Sequence, residues 1–317
     1  MSHAPNLTRA VAPVWSSPTS GMIFMALAML LLPIGDTFAK LLTGVMHPVE
    51  VTMWRMLAQG LCLLPVAVLL RDRLRGAMFS PVVALSGLLV MITLISLVTA
   101  FSVMPIATAI AIFFAEPLIL TLLGGPLLRE VAGPRRYVAV GVGLAGALIV
   151  IRPGFSEFGA ATLLPLVAAT AYALNMILLR RISGTRSALT VQCGATAYAA
   201  LGMVMLTGGL GAAGLLDLTP LARPAWTWGA ILGCGAFAAA SFVLIAEAFR
   251  RAEATTLAPF QYLEIVGATA AGFLVFAEFP DALTWLGVAI ILGSGAYIVH
   301  RERQRDAQVP RRRRGGR

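Results

Sequence analysis

Two glutamates occur in matching settings inside apolar runs. Glu116 follows Ala107-Thr108-Ala109 and precedes Pro117, and Glu264 follows Ala254-Thr255-Thr256. Each is followed fourteen residues later by a second acid, Glu130 and Glu278, and then by a Gly-rich apolar segment. A carboxylate inside a bilayer costs several kcal/mol on most scales, so it marks a function or a paired interior position. The same carboxylate at the same place in two halves predicts a duplicated membrane protein with a polar site between its halves. Such carboxylates can hold a cationic or amine group, or take up and release a proton. Alternatively they are protonated and hydrogen-bonded to a neighbouring helix, as packing only.

Other polar residues lie near them in the apolar runs. Asp36 and Lys40 are four apart and share a helix face, so the spacing predicts that they pair. Arg55, about seven residues into the next apolar run, has Asp36, Glu50 or an anionic group of a substrate as its candidate partner. Lys40 is the only lysine in the chain. It reads as a gate residue or as an interfacial anchor whose amine reaches the headgroups. Trp54, Phe113, Phe114, Tyr172, Asn175, Gln261 and Tyr262 are candidates for the wall of a cavity. For an aromatic taken alone, lipid-facing packing or an interfacial belt is the commoner role. Adjacent residues do not share a helix face, so only some of Gln261, Tyr262 and Glu264 can point inward. Pro117 and Pro259 flank the two glutamates and should loosen their helices, freeing carbonyls toward a cavity. Glu130 and Glu278 read mainly as helix-end residues, each followed by a turn-forming proline, Pro134 and Pro280. Glu247 should pair with Arg250 and Arg251.

The elements that hold these residues are legible from composition. The chain has 317 residues, 59% hydrophobic and 12% charged, against about a quarter charged in a soluble domain. Its solvent is therefore a bilayer. A span needs about 20 mostly apolar residues. Ten runs qualify, near 21–41, 48–70, 79–100, 104–123, 136–151, 159–179, 188–209, 226–249, 255–277 and 283–300. The predicted fold is all-α and integral to the membrane, with ten transmembrane helices in two inverted five-helix repeats, 21–151 and 159–300. A polar tail, 1–20, precedes them without an apolar core of its own, so no cleavable leader is expected. A basic tail, 301–317, follows and should lie on the lipid surface. Ser102-Val103-Met104-Pro105 must make a tight turn between the third and fourth runs.

Of the 24 basic residues, 20 arginines fall in the tails and alternate loops, and only Arg152 and Arg223 in the loops between those. The positive-inside rule then predicts both termini in the cytoplasm. Five spans per half force the halves to insert in opposite senses. The glutamates match at an offset of 148, as do Glu130 and Glu278. Lys40 and Arg180 each end an apolar run in a weaker match, and Arg55 has no basic counterpart.

On these residues and this layout, about 20–300 of the chain resembles the drug/metabolite transporter superfamily, in its ten-helix, two-repeat EamA-type branch. The resemblance implies a monomer or homodimer in a bacterial-type inner membrane. It implies alternating access for small organic solutes, commonly amino acids or related amine-containing metabolites, with export the commoner direction. Asp36 and Lys40 also resemble members that take up nucleotide-like or vitamin-like solutes, of the S-adenosylmethionine or riboflavin class.

Other classes fit less well. An intramembrane hydrolase needs a nucleophile and base or a metal site. The three histidines, His3, His47 and His300, lie outside the span interiors. A scaffold has no use for buried charge, and a channel would show a ring of like charges. Despite a net charge of +10, no basic stripe interleaved with aromatics suggests nucleic acid. No nucleotide motif suggests a cofactor: Gly141-x-Gly143-x-x-Gly146 lies in an apolar helix and follows no strand, so it reads as a packing or dimer face, as do Gly287, Gly293 and Gly295. The three cysteines, Cys62, Cys193 and Cys234, read as buried hydrophobes. Proton coupling, if present, would use the carboxylates.

Overall fold

The computed structural model describes residues 18–128, 134–217, 223–252 and 254–308. Among these the chain is helical throughout, without strands. The helices are α1 (Pro18–Thr43), α2 (Pro48–Leu69), α3 (Pro81–Phe101), α4 (Ile106–Phe113), α5 (Glu116–Leu128), α6 (Pro134–Phe158), α7 (Leu164–Ile182), α8 (Ala188–Ala212), α9 (Trp226–Arg251), α10 (Ala254–Gln261), α11 (Leu263–Phe276) and α12 (Ala282–Gln308). Eight segments are long and apolar enough to cross a membrane. Two shorter apolar helices, Tyr137–Ile151 within α6 and Ala282–Tyr297 within α12, accompany them. Glu130 lies outside the described residues.

Local chemistry sets several boundaries. Prolines 48 and 81 begin α2 and α3, where a missing N–H costs nothing. His47, Ser80 and Ser187 accept backbone hydrogen bonds as N-caps of α2, α3 and α8. The turn expected at Ser102–Pro105 is present, closed by a hydrogen bond from Met104 N to Ala100 O at 3.0 Å.

The apolar runs containing Glu116 and Glu264 are both interrupted. α4 ends at Phe113 and α5 begins at Glu116, and the ladder between them tightens to i−3 bonds at Ala115 and Leu118. Pro117 has no N–H to donate, so Phe113 loses the donor an unbroken helix would supply. α10 ends at Gln261 and α11 begins at Leu263, with an i−3 bond from Ile265 N to Tyr262 O. Pro259 lies within α10, one turn before this second break.

The packing repeats when the halves are exchanged. α1 packs along α9, and α7 along α3. α2 lies on α9, and α8 on α3. α11 leans on α1, and α5 on α7. α2 pairs with α8, and α6 with α12. The first helix of each half is thus inserted against the third helix of the other.

Glycines permit the closest approaches. A Cβ on Gly287 would sit 2.7 Å from the Gly146 carbonyl oxygen, and one on Gly146 would sit 2.8 Å from Ile290. The glycine faces of α6 and α12 therefore pack on each other. Gly141 and Gly293 have nothing within 4 Å of an added Cβ. The largest core cluster joins α3, α4, α6, α7, α11 and α12 and includes Phe101, Ile110, Ile112, Val150 and Ile291. Many large apolar residues face outward, such as Leu61, Val68, Leu148, Met205 and Leu274. That surface suits lipid, not water.

Candidate functional site

The two helix breaks meet. Phe114, at the first break, packs its ring 5.9 Å from that of Tyr262, at the second. Phe113 lies 5.7 Å from the ring of Tyr172 on α7. Glu116 is the first residue of α5, and Glu264 the second of α11. Each carboxylate therefore sits at the positive end of a half-helix dipole, which favours an anion. Tyr172 is within electrostatic reach of both glutamates, one from each half.

Neither glutamate makes an ion pair or side-chain hydrogen bond among the described residues. Glu116 Oε1 is buried without a hydrogen-bond partner among the described residues. A buried polar atom left unsatisfied costs about 1–3 kcal/mol. Arg180, in the last turn of α7, is within electrostatic reach of Glu116.

Glu264 is turned toward α1. Gly267 lies one turn further along α11, and a Cβ there would be 3.0 Å from Pro33. That close approach brings Glu264 within electrostatic reach of Asp36 and Arg55. Asp36 and Arg55 are 6% and 4% exposed, and Arg55 Nη1 donates to Asp36 Oδ1 at 2.8 Å. This bond is the guanidinium's only hydrogen bond among the described residues, and its Nε is buried without a partner. Cys234 of α9 lies beside it.

The expected Asp36–Lys40 pair is not formed. Asp36 bonds Arg55, while Lys40 reaches Glu278, with both carboxylate oxygens 2.6 Å from Nζ. Lys40 also donates to Met104 O at 2.9 Å and lies 4.9 Å from the Phe276 ring centre. The i,i+4 pair is an exposed-helix preference of a few tenths of a kcal/mol. It yields to partners that arrive from other helices in a drier setting. Glu278 is positioned by the end of α11, where Ala277 takes a left-handed conformation (φ 56°) that reverses the chain.

Glu50, the other candidate partner for Arg55, is taken by Arg223 Nη2 at 2.6 Å. Trp54 donates to Glu50 at 3.3 Å and packs edge-on against Trp228, 5.4 Å between ring centres. It therefore belongs with the Glu50–Arg223 pair. Asn175 accepts from the Ser86 hydroxyl at 2.7 Å, joining α7 to α3. Gln261 is half-buried at the end of α10. Glu247 holds Arg250 at 2.9 Å and Arg251 at 2.5 Å, as expected, and also Arg73 at 3.1 Å.

Sequence reasoning missed Arg223, Cys234, Ser86, Trp228 and Arg73. Arg223 reads as an ordinary loop arginine. Ser86 and Cys234 are small residues in apolar runs, and nothing in their local sequence distinguishes them.

The sequence profile of the EamA-like transporter family matches residues 19–152 and again 159–299. The chain belongs to the EamA-like transporter family. It is a multi-pass membrane protein and a transporter, built from two copies of the family's repeat. A riboflavin transporter of Vibrio cholerae is 32% identical over 64% of this chain, and that match spans 65% of the relative's own length. An S-adenosylmethionine uptake transporter of Rickettsia prowazekii is 26% identical over 90% of this chain and 94% of its own. A solved crystal structure shares the fold, with a TM-score of 0.57 at 17% identity, covering 91% of this chain and 99% of that one.

Proposed function

We propose that this EamA-family member carries a cationic, ring-bearing metabolite of the S-adenosylmethionine kind through a site at the meeting of its two helix breaks. The observation that carries this reading is a carboxylate at each break, Glu116 and Glu264, with no ion pair or side-chain hydrogen bond among the described residues. Two acids without ion-pair partners in a low-dielectric interior need a cation or protons. Phe113, Phe114, Tyr172 and Tyr262 supply ring faces that attract a cation and stack on a planar ring. A neutral flavin would leave both carboxylates unanswered, so the riboflavin class is the weaker fit. The names of the relatives with the widest coverage favour uptake over the export that the family resemblance implies.

In this reading ten helices span a bacterial-type inner membrane as two inverted repeats, with both termini inside and small-molecule substrate and lipid as the partners. The breaks at equivalent places in the two halves support a site shared by both and exposed to each side in turn.

Flux of S-adenosylmethionine and of riboflavin into proteoliposomes tests the reading. We expect S-adenosylmethionine to be carried, and Glu116→Gln with Glu264→Gln to abolish it. Transport of riboflavin alone overturns the substrate class. Full S-adenosylmethionine flux in the double variant overturns the site.

A further inference from the structure

We propose that Arg55 is a second pole of the site, reading a carboxylate on the same substrate that Glu116 and Glu264 hold by its cation. The inference rests on the function just proposed and narrows its substrate to zwitterions that carry both groups.

Arginine has two forks on which a carboxylate can lie flat, one at the end of the group and one along its Nε edge. Asp36 takes a single bond, from Nη1. The Nε edge is therefore vacant: Nε is buried and unpartnered, and Nη2 makes no hydrogen bond among the described residues. A guanidinium serving only to neutralise Asp36 would not need to keep a second, unpaired donor edge. Neither Nε nor Nη2 has a protein acceptor among the described residues, so the acceptor that completes the edge is a ligand's.

Position agrees with this. Arg55 is within electrostatic reach of Glu264, and Glu264 shares Tyr172 with Glu116. The positive pole and the two negative ones are thus linked through Glu264 and Tyr172, on α2, α5, α7 and α11. A substrate with a carboxylate at one end and a cationic centre further along spans them. Asp36 holds the guanidinium in plane, and its own carboxylate stands beside the place where an α-ammonium would lie. Arg55 has no basic counterpart in the second half, at Val191-Gln192-Cys193. The pole therefore exists once, and a substrate is held in one orientation across an otherwise repeated site.

The test compares S-adenosylmethionine with its decarboxylated analogue, which keeps the sulfonium, amine and adenine. Binding is measured on the full chain in nanodiscs by calorimetry. The wild type should prefer the carboxylated ligand by about tenfold or more, since a buried donor edge left unpaired penalises the analogue lacking its acceptor. Arg55→Lys keeps the charge and the Asp36 pair but has no fork. It should bring the two affinities together while leaving that of the analogue within about threefold, a small change on the 1.4 kcal/mol-per-decade scale. The paired change Asp36→Asn with Arg55→Gln removes both charges at once and should also erase the preference. Equal weakening of both ligands by Arg55→Lys, or a preference that survives both changes, overturns the carboxylate role and leaves the cation site intact. Failure of the wild type to bind either ligand overturns the proposed function and this inference with it.

Discussion

A guanidinium buried with one carboxylate partner is worth most when the pair is kept whole. Asp36→Asn strips Arg55 of its anion at 4% exposure. Removing one member of a buried pair costs roughly 3–5 kcal/mol, whereas replacing both by apolar residues of similar size is often close to neutral. Thermal unfolding in detergent should therefore show Asp36→Asn far less stable than Asp36→Leu with Arg55→Met. Similar losses in both would mean that packing, not charge, sets the stability here. At this scale the sequence was informative about single residues and poor about pairs. The repeated Glu116 and Glu264 stand out because an acid is rare in an apolar run, and Arg55 does for the same reason. Their neighbours are another matter. Lys40 meets Glu278 across 238 positions and Arg223 meets Glu50 across 173, so no local spacing rule reaches them. The i,i+4 rule pointed to Asp36–Lys40 because it sees one helix at a time.

Helices here are shaped by what their residues cannot do. Proline cannot donate, and the interruption falls beside Pro117 and one turn past Pro259. The breaks were legible for that reason. Their mutual contact through Phe114 and Tyr262 was not, because it depends on how two helices from different halves cross. Pro117→Ala restores a donor for Phe113. It should raise the melting temperature while lowering transport, and a variant with full flux would show that the interruption is dispensable. Glycine acts by leaving room. Gly287→Ala drives a methyl into the Gly146 backbone and should destabilise by about 1–3 kcal/mol, as overpacking does. Gly293→Ala, with open space around it, should be stabilising by roughly 0.5–1 kcal/mol because alanine is the better helix former. Melting curves of the two variants should move in opposite directions. The glycine patterns in the sequence predicted close packing, but only the structure divides α6 and α12 into glycines that touch and glycines that do not.

The whole molecule is two halves that complete each other. α1 lies on α9 and α7 on α3, so either half alone would leave the first and third helices of its repeat without their main partners. Expressed separately, 1–158 and 159–317 should each fail to accumulate in membranes. Expressed together they should reassemble, as judged by immunoblot and recovered flux. Stable accumulation of one half alone would show that the exchanged packing is not required. Membership of a two-repeat membrane family could be read from composition and from the 148-residue offset, since both are properties of the chain as a string. The exchange of first helices could not, because hydropathy reports that a helix is buried in a membrane and not which helix it is buried against.

The solitary lysine offers something practical. An amine-directed reagent can modify this chain only at its N-terminus and at Lys40, which is 12% exposed and held against Glu278 and Met104. A clamp of that kind protects the amine from acylation while it is shut. The extent of labelling at Lys40, read by peptide mass spectrometry, therefore measures how often that end of the bundle opens. It needs no introduced probe, and a solute that moves the figure has declared itself a ligand before any flux is recorded.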